Sequence, residues 1–135
     1  MGGKQHYTTY GENNFQAAST ALTGSYVLVG KEMPIDDASS IFLHIHYTAG
    51  NETSIEVKAQ YMASSGGTES QSTIITTSGA TSVITPSEFQ YTSSGGSKNL
   101  SIPFGIEGTY VKFYIKATGG TPTGTYGASI CMNRE

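Results

Sequence analysis

The chain has 135 residues, enough for one domain that buries a core without needing a disulfide or a metal. Of these, 52 are Ser, Thr or Gly, only 13% are charged, and seven Lys and Arg stand against ten Asp and Glu. That balance excludes a coiled coil, a charge-rich disordered chain and a basic nucleic-acid-binding surface, and it points to a soluble all-β domain.

The first twenty residues are polar but studded with Tyr7, Tyr10 and Phe15, with neither helical period nor clean alternation. They read as an extended N-terminal arm (1–20), whose aromatics pack on the domain (21–135) or on a neighbouring subunit. They contain no apolar stretch of the kind a signal peptide needs, no longer run is apolar enough to span a membrane as a helix, and His6 stands where a myristoylation site wants Ser or Thr.

From Ala21 onward, β-forming runs alternate with turn residues. Ser25–Val29 is a strand closed by Gly30, and Pro34 forbids continuation in the loop Met33–Asp37. Ile41–Thr48 alternates most clearly, with Ile41, Leu43, Ile45 and Tyr47 on one face and Phe42, His44 and His46 on the other. In Ser54–Met62, Ile55, Val57, Ala59 and Tyr61 share a face. A Ser/Gly-rich loop, Ala63–Ser70, precedes short pieces at Ser72–Thr77, Thr81–Thr85 and Glu88–Thr92. Asn99–Phe104 reads as an edge strand because Pro103 cannot donate to a ladder. Tyr110–Ala117 places Val111, Phe113 and Ile115 inward and Tyr110, Lys112, Tyr114 and Lys116 outward, and Thr125–Met132 closes the series. About eight antiparallel strands with no convincing helix define an all-β, two-sheet β-sandwich, jelly-roll-like in topology.

Register sharpens two pairings. Setting Tyr47 opposite Ile55 matches apolar with apolar down to Ile41 and Tyr61, so a direct hairpin across Ala49–Thr53 is expected. The last two strands fail that test, since their apolar positions differ in parity. They require either a bulge or separate sheets.

Chemical motifs are sparse. His44 and His46 project two imidazoles from one strand, a spacing that holds zinc or iron in some barrels. In the hairpin register Glu56 faces His46, but Lys58 faces His44 and opposes a dication, so a pH-sensitive His46–Glu56 pair is the plainer reading. Asp36-Asp37 lacks the spaced oxygen ligands of a calcium loop. No G-x-S-x-G elbow or phosphate loop is present, and Cys131 lies in an apolar run as a semi-buried thiol. Asn51-Glu52-Thr53 and Asn99-Leu100-Ser101 fit the glycosylation pattern by chance in a Ser/Thr-rich chain. The expectation is a non-enzyme without cofactor or metal. Its partner contacts are Tyr7, Tyr10 and Phe15 of the arm and Tyr110 and Tyr114 of the outward stripe, since Tyr joins an apolar body to a polar tip.

The run Ala21-Leu22-Thr23-Gly24-Ser25-Tyr26-Val27-Leu28-Val29-Gly30, with Glu107–Gly120 and Gly124–Ile130, resembles the opening and closing strands of small β-sandwich structural proteins of tailed bacteriophages. The resemblance implies a virion component made in the host cytoplasm. It points first to a trimeric capsid decoration (cement) protein bound to the major capsid protein. The alternative is a tail, baseplate or fibre component that binds a receptor or glycan. Neither nucleic acid nor membrane is an expected partner.

Overall fold

Apolar alternation with a period of two lets a strand bury one face and leave the other wet. The computed structural model describes residues 8–71, 73–78, 81–86 and 88–134, with side chains described outside 8–12, 71–88 and 134. Its strands are β1 (Thr8–Ala21), β2 (Val27–Pro34), β3 (Ala38–Thr48), β4 (Ser54–Met62), β5 (Ser70–Gln71), β6 (Thr73–Ser78), β7 (Thr81–Pro86), β8 (Glu88–Thr92), β9 (Lys98–Phe104), β10 (Tyr110–Thr118) and β11 (Thr125–Arg134). A 3-10 turn at Ser93–Gly95 is the one helical element among the described residues.

One sheet has the order β1-β11-β3-β9. The other runs β2-β10-β4, and the far edge of β4 is shared by β8 along Ser54–Lys58 and by β5 at Gln60 and Tyr61. β6 and β7 form a separate two-stranded ribbon. Apart from β4, β5 and β8, which share the second sheet, successive strands of the sandwich lie in opposite sheets, which is the jelly-roll arrangement.

Ile41, Leu43, Ile45, Ile55, Val57, Val111, Phe113 and Ile115 are fully buried between the sheets. The expected hairpin between β3 and β4 does not form. β3 pairs with β11 and β9, and β4 with β10 and β8. Apolar matching holds equally in the observed pairings, Leu43 with Ile130 and Ala59 with Phe113 for example, so alternation identified the buried face but not the partner. β10 and β11 lie in separate sheets, one of the two outcomes their parity allowed, and β9 is an edge carrying Pro103.

The segment expected as an arm is largely a strand of the sandwich. β1 pairs along β11 from Thr8 to Ala21, with irregularities between Glu12 and Gln16 and between Gln16 and Thr20. Each bulge places two extra residues on β1, and Asn14 (φ 59°) and Ser19 (φ 61°) take left-handed backbone there. Parity survives two-residue insertions, but the positions opposite Ile130, Ala128 and Tyr126 are the polar Glu12, Gln16 and Thr20, so no apolar alternation marks the strand in sequence. Phe15 is 7% exposed and packs over Gly30, where an added Cβ would lie 2.6 Å from its ring. Gly30 (φ 67°) does not close β2 but bulges it, and its amide donates to Gln16 Oε1 at 2.8 Å. The bulge of β1 around Phe15 and that of β2 at Gly30 thus fasten the edge of one sheet to the edge of the other.

At one end of the sandwich the loops 22–26, 49–53, 93–97 and 119–124 are tied together. Ala117 N donates to Thr23 O at 2.8 Å, Thr53 N to Thr118 O at 2.7 Å and Ser93 N to Thr53 O at 2.8 Å. Their hub is Glu52, 3% exposed. Its carboxylate accepts from Gly50 N at 2.7 Å, Gly124 N at 2.8 Å and the Tyr47 hydroxyl. Tyr47 has one proton to give, so Ser93 donates to the phenol oxygen at 2.7 Å. Burial alone would raise the Glu52 pKa, but the Tyr47 hydroxyl and the Gly50 and Gly124 amides outweigh it and hold it at about 2.

Two predictions follow from the packing and the hub. Phe15→Ala is expected to destabilise the isolated domain by about 3 kcal/mol in urea unfolding, because a core contact is lost; an arm residue would leave the midpoint unchanged. The Glu52 pKa lies below its ordinary 4.5, so its stabilisation is complete above that value and fades as pH falls toward about 2. Glu52→Gln should therefore cost about 2 kcal/mol near neutrality and flatten that acid-side loss in a pH series of thermal midpoints.

Candidate functional site

The register of β10 builds the outer face of the second sheet. Tyr114 stands between Leu28 of β2 and Lys58 of β4, Lys116 stands opposite Glu56, and Lys112 opposite Gln60. Tyr26, just before β2, completes the patch. The Lys58 ammonium lies 4.1 Å from the Tyr26 ring centroid and 5.9 Å from that of Tyr114, and Lys116 lies 4.8 Å from Tyr26. Such cation–π contacts contribute about 0.5–1 kcal/mol each at partly exposed sites, and here they hold two flexible lysines in defined positions. Leu28, 39% exposed, is the one large hydrophobic residue exposed among those described.

Carboxylates frame the patch. Lys116 pairs with Glu56 at 3.8 Å and Lys112 with Glu69 at 3.4 Å. Tyr114 donates to Glu69 Oε1 at 2.6 Å, and Thr118 Oγ1 donates to Glu56 Oε2 at 2.6 Å. Burial first, then the Glu69 carboxylate, pushes the Tyr114 pKa up to about 12. Among the described residues Lys58 forms no ion pair, and Glu88 lies opposite it in the β4–β8 register.

The expected contact residues separate in the structure. Tyr110 and Tyr114 both lie on this outer face, half-buried, with Tyr110 near the far end opposite Pro34 and Met62. Phe15 is core and not a partner contact. Tyr7 lies outside the described residues, and Tyr10 is placed only by its backbone pairing with Met132. Tyr26, Leu28 and Lys58 were missed, because cross-strand neighbours become visible only once β2, β10 and β4 are set in register.

The histidines occupy the other sheet. His44 is half-buried between Ser129 and Ser101 in register, and His46 Nδ1 is 3.1 Å from Asn99 Oδ1. Glu56 is in the opposite sheet, so the expected His46–Glu56 pair does not exist; it depended on the hairpin that does not form. Among the described residues no three His, Cys, Asp or Glu side chains are grouped to hold a metal ion, and no helix is long and apolar enough to cross a membrane. Asp36 and Asp37 form an exposed turn, and Cys131 is half-buried.

The fold and this face define an antiparallel jelly-roll domain with an aromatic and cationic outer sheet. No protein-family model and no curated protein sequence matches the chain. Solved structures share the fold. The SPBc2 prophage-derived protein YomS is 15% identical with a TM-score of 0.53, over 96% of each chain. A chain of the T13 viral particle of IBDV (infectious bursal disease virus) is 13% identical with a TM-score of 0.54, over 97% of this chain and 32% of that one. A chain of the Gx strain of that virus is 13% identical with a TM-score of 0.52, over 96% and 33%. The present chain thus spans about a third of the length of either of those viral chains. The expected likeness to phage structural proteins has its counterpart in the prophage protein, at the level of fold.

Glu69→Gln is expected to bring the Tyr114 hydroxyl down from about 12 toward the ordinary tyrosine value, read by NMR of ring-labelled tyrosine across an alkaline titration. An unmoved resonance would remove Glu69 as a cause.

Proposed function

We propose that this chain is a non-enzymatic structural protein of a virion, in first place a capsid decoration protein that assembles as a homotrimer and braces contacts between capsid subunits. The observation that carries the reading is the jelly-roll strand order, β1-β11-β3-β9 facing β2-β10-β4-β8, in a domain whose fold recurs in a prophage-derived protein and in viral particles. Supporting it, the titratable groups of the described site serve packing. Glu52 is filled by backbone and phenol donors, and Glu69 holds Tyr114 and Lys112. The outer face of the second sheet offers tyrosines, one exposed leucine and lysines already ordered on aromatic rings, a composition suited to protein contact. Attachment to a tail, baseplate or fibre is the second reading, favoured by the same face if its tyrosines stack on sugar rings.

Immunogold labelling of virions purified from cells that carry the gene tests the proposal. Label over the shell, with deletion of the gene giving particles that rupture at lower temperature, is the expected result. Label confined to tails would favour the second reading, and absence of the protein from purified virions would sink both.

A further inference from the structure

The end of the sandwich opposite Glu52 has a distinct charge. The turn between β2 and β3 carries Asp36 and Asp37, and the loop between β9 and β10 carries Glu107, all three exposed. The two loops are joined, Ile35 N donating to Thr109 O at 2.8 Å, and neither contains Lys or Arg. The aromatic and cationic patch lies toward the other end, where Lys116 and Tyr26 adjoin the Glu52 loops. Tyr114 and Lys58 stand halfway along β10 and Lys116 two residues further, roughly 13 to 20 Å from Tyr110 at about 3.3 Å per residue, so the two features do not meet within one chain.

We infer that the outer face of the second sheet receives the acidic end of a second copy of this chain, Asp36 and Glu107 approaching Lys58 and Lys116 while Leu28 and the Tyr26 and Tyr114 rings are covered. This rests on the structural reading above and names the partner of its site. Three of the chain's seven cations, Lys58, Lys112 and Lys116, stand on this one face. Glu56 and Glu69 answer Lys116 and Lys112, whereas Lys58 is held between rings, positioned for a carboxylate that arrives from outside. Exposed ion pairs are individually weak, so burial of Leu28 and the rings supplies the affinity and the charges set orientation. An end that meets a face is a heterologous contact. It repeats from copy to copy and closes into a ring when the rotation allows, the proposed trimer being one such ring.

Charge reversal tests this on the full chain by sedimentation velocity at low salt, with circular dichroism to confirm folding. The wild type is expected to be an oligomer whose dissociation constant rises with salt. Lys58→Glu with Lys116→Glu, and separately Asp36→Lys with Glu107→Lys, should each weaken association at least tenfold, and the two sets combined should restore most of it. A monomer at every concentration, an oligomer indifferent to both reversals, or loss without rescue would overturn the inference. Disruption by the lysine reversal alone would also overturn it and point to a carboxylate of another protein. Occurrence in virions is measured separately, so a wild-type monomer found in the shell defeats this contact and leaves the structural reading standing.

Discussion

The period-two alternation of β10 is the constraint on which the rest depends. β10 lies between β2 and β4, so its odd-numbered residues fill the sandwich while its even-numbered residues meet Leu28 and Lys58 outside. A slip of one residue would send Tyr114 into the core and Phe113 into water. The register that stabilises the domain is therefore also the register that assembles the patch. Core packing and the outer patch share one strand.

The two ends of the sandwich divide the remaining work. At one, the buried Glu52 carboxylate ties loop 49–53 to loop 119–124 through backbone amides and the Tyr47 hydroxyl, and backbone bonds join the other two loops to them. At the other, the loops carry exposed acids. At the sheet margins β1 and β2 interlock through Phe15 and Gly30, and β9 is blunted by Pro103. Such bulged and proline-bearing edges disfavour growth by strand addition at β1, β2 and β9.

How much of this was legible in the sequence follows from how local each signal is. The buried faces of β3, β4 and β10 could be read directly, because each alternates cleanly over eight or more residues. Pairing could not, since Ile45 matches Val57 as well as it matches Ala128. β1 was hidden because the polar Glu12, Gln16 and Thr20 stand opposite Ile130, Ala128 and Tyr126, and so Phe15 looked like part of a free arm. The stripe Tyr110, Lys112, Tyr114 and Lys116 was read from one strand, but Tyr26, Leu28 and Lys58 come from two others. Glu52 gave no sign either. Its role depends on Gly124, seventy-two residues away, where a side chain would collide with the carboxylate.

The central claim is that the second sheet's outer face is covered when the protein assembles. Lysine acylation followed by mass spectrometry, compared between dilute and assembled protein, measures that directly. Lys58 and Lys116 are expected to lose reactivity on assembly while Lys31 and Lys98 keep theirs. Equal reactivity of Lys58 and Lys116 in both states would contradict it.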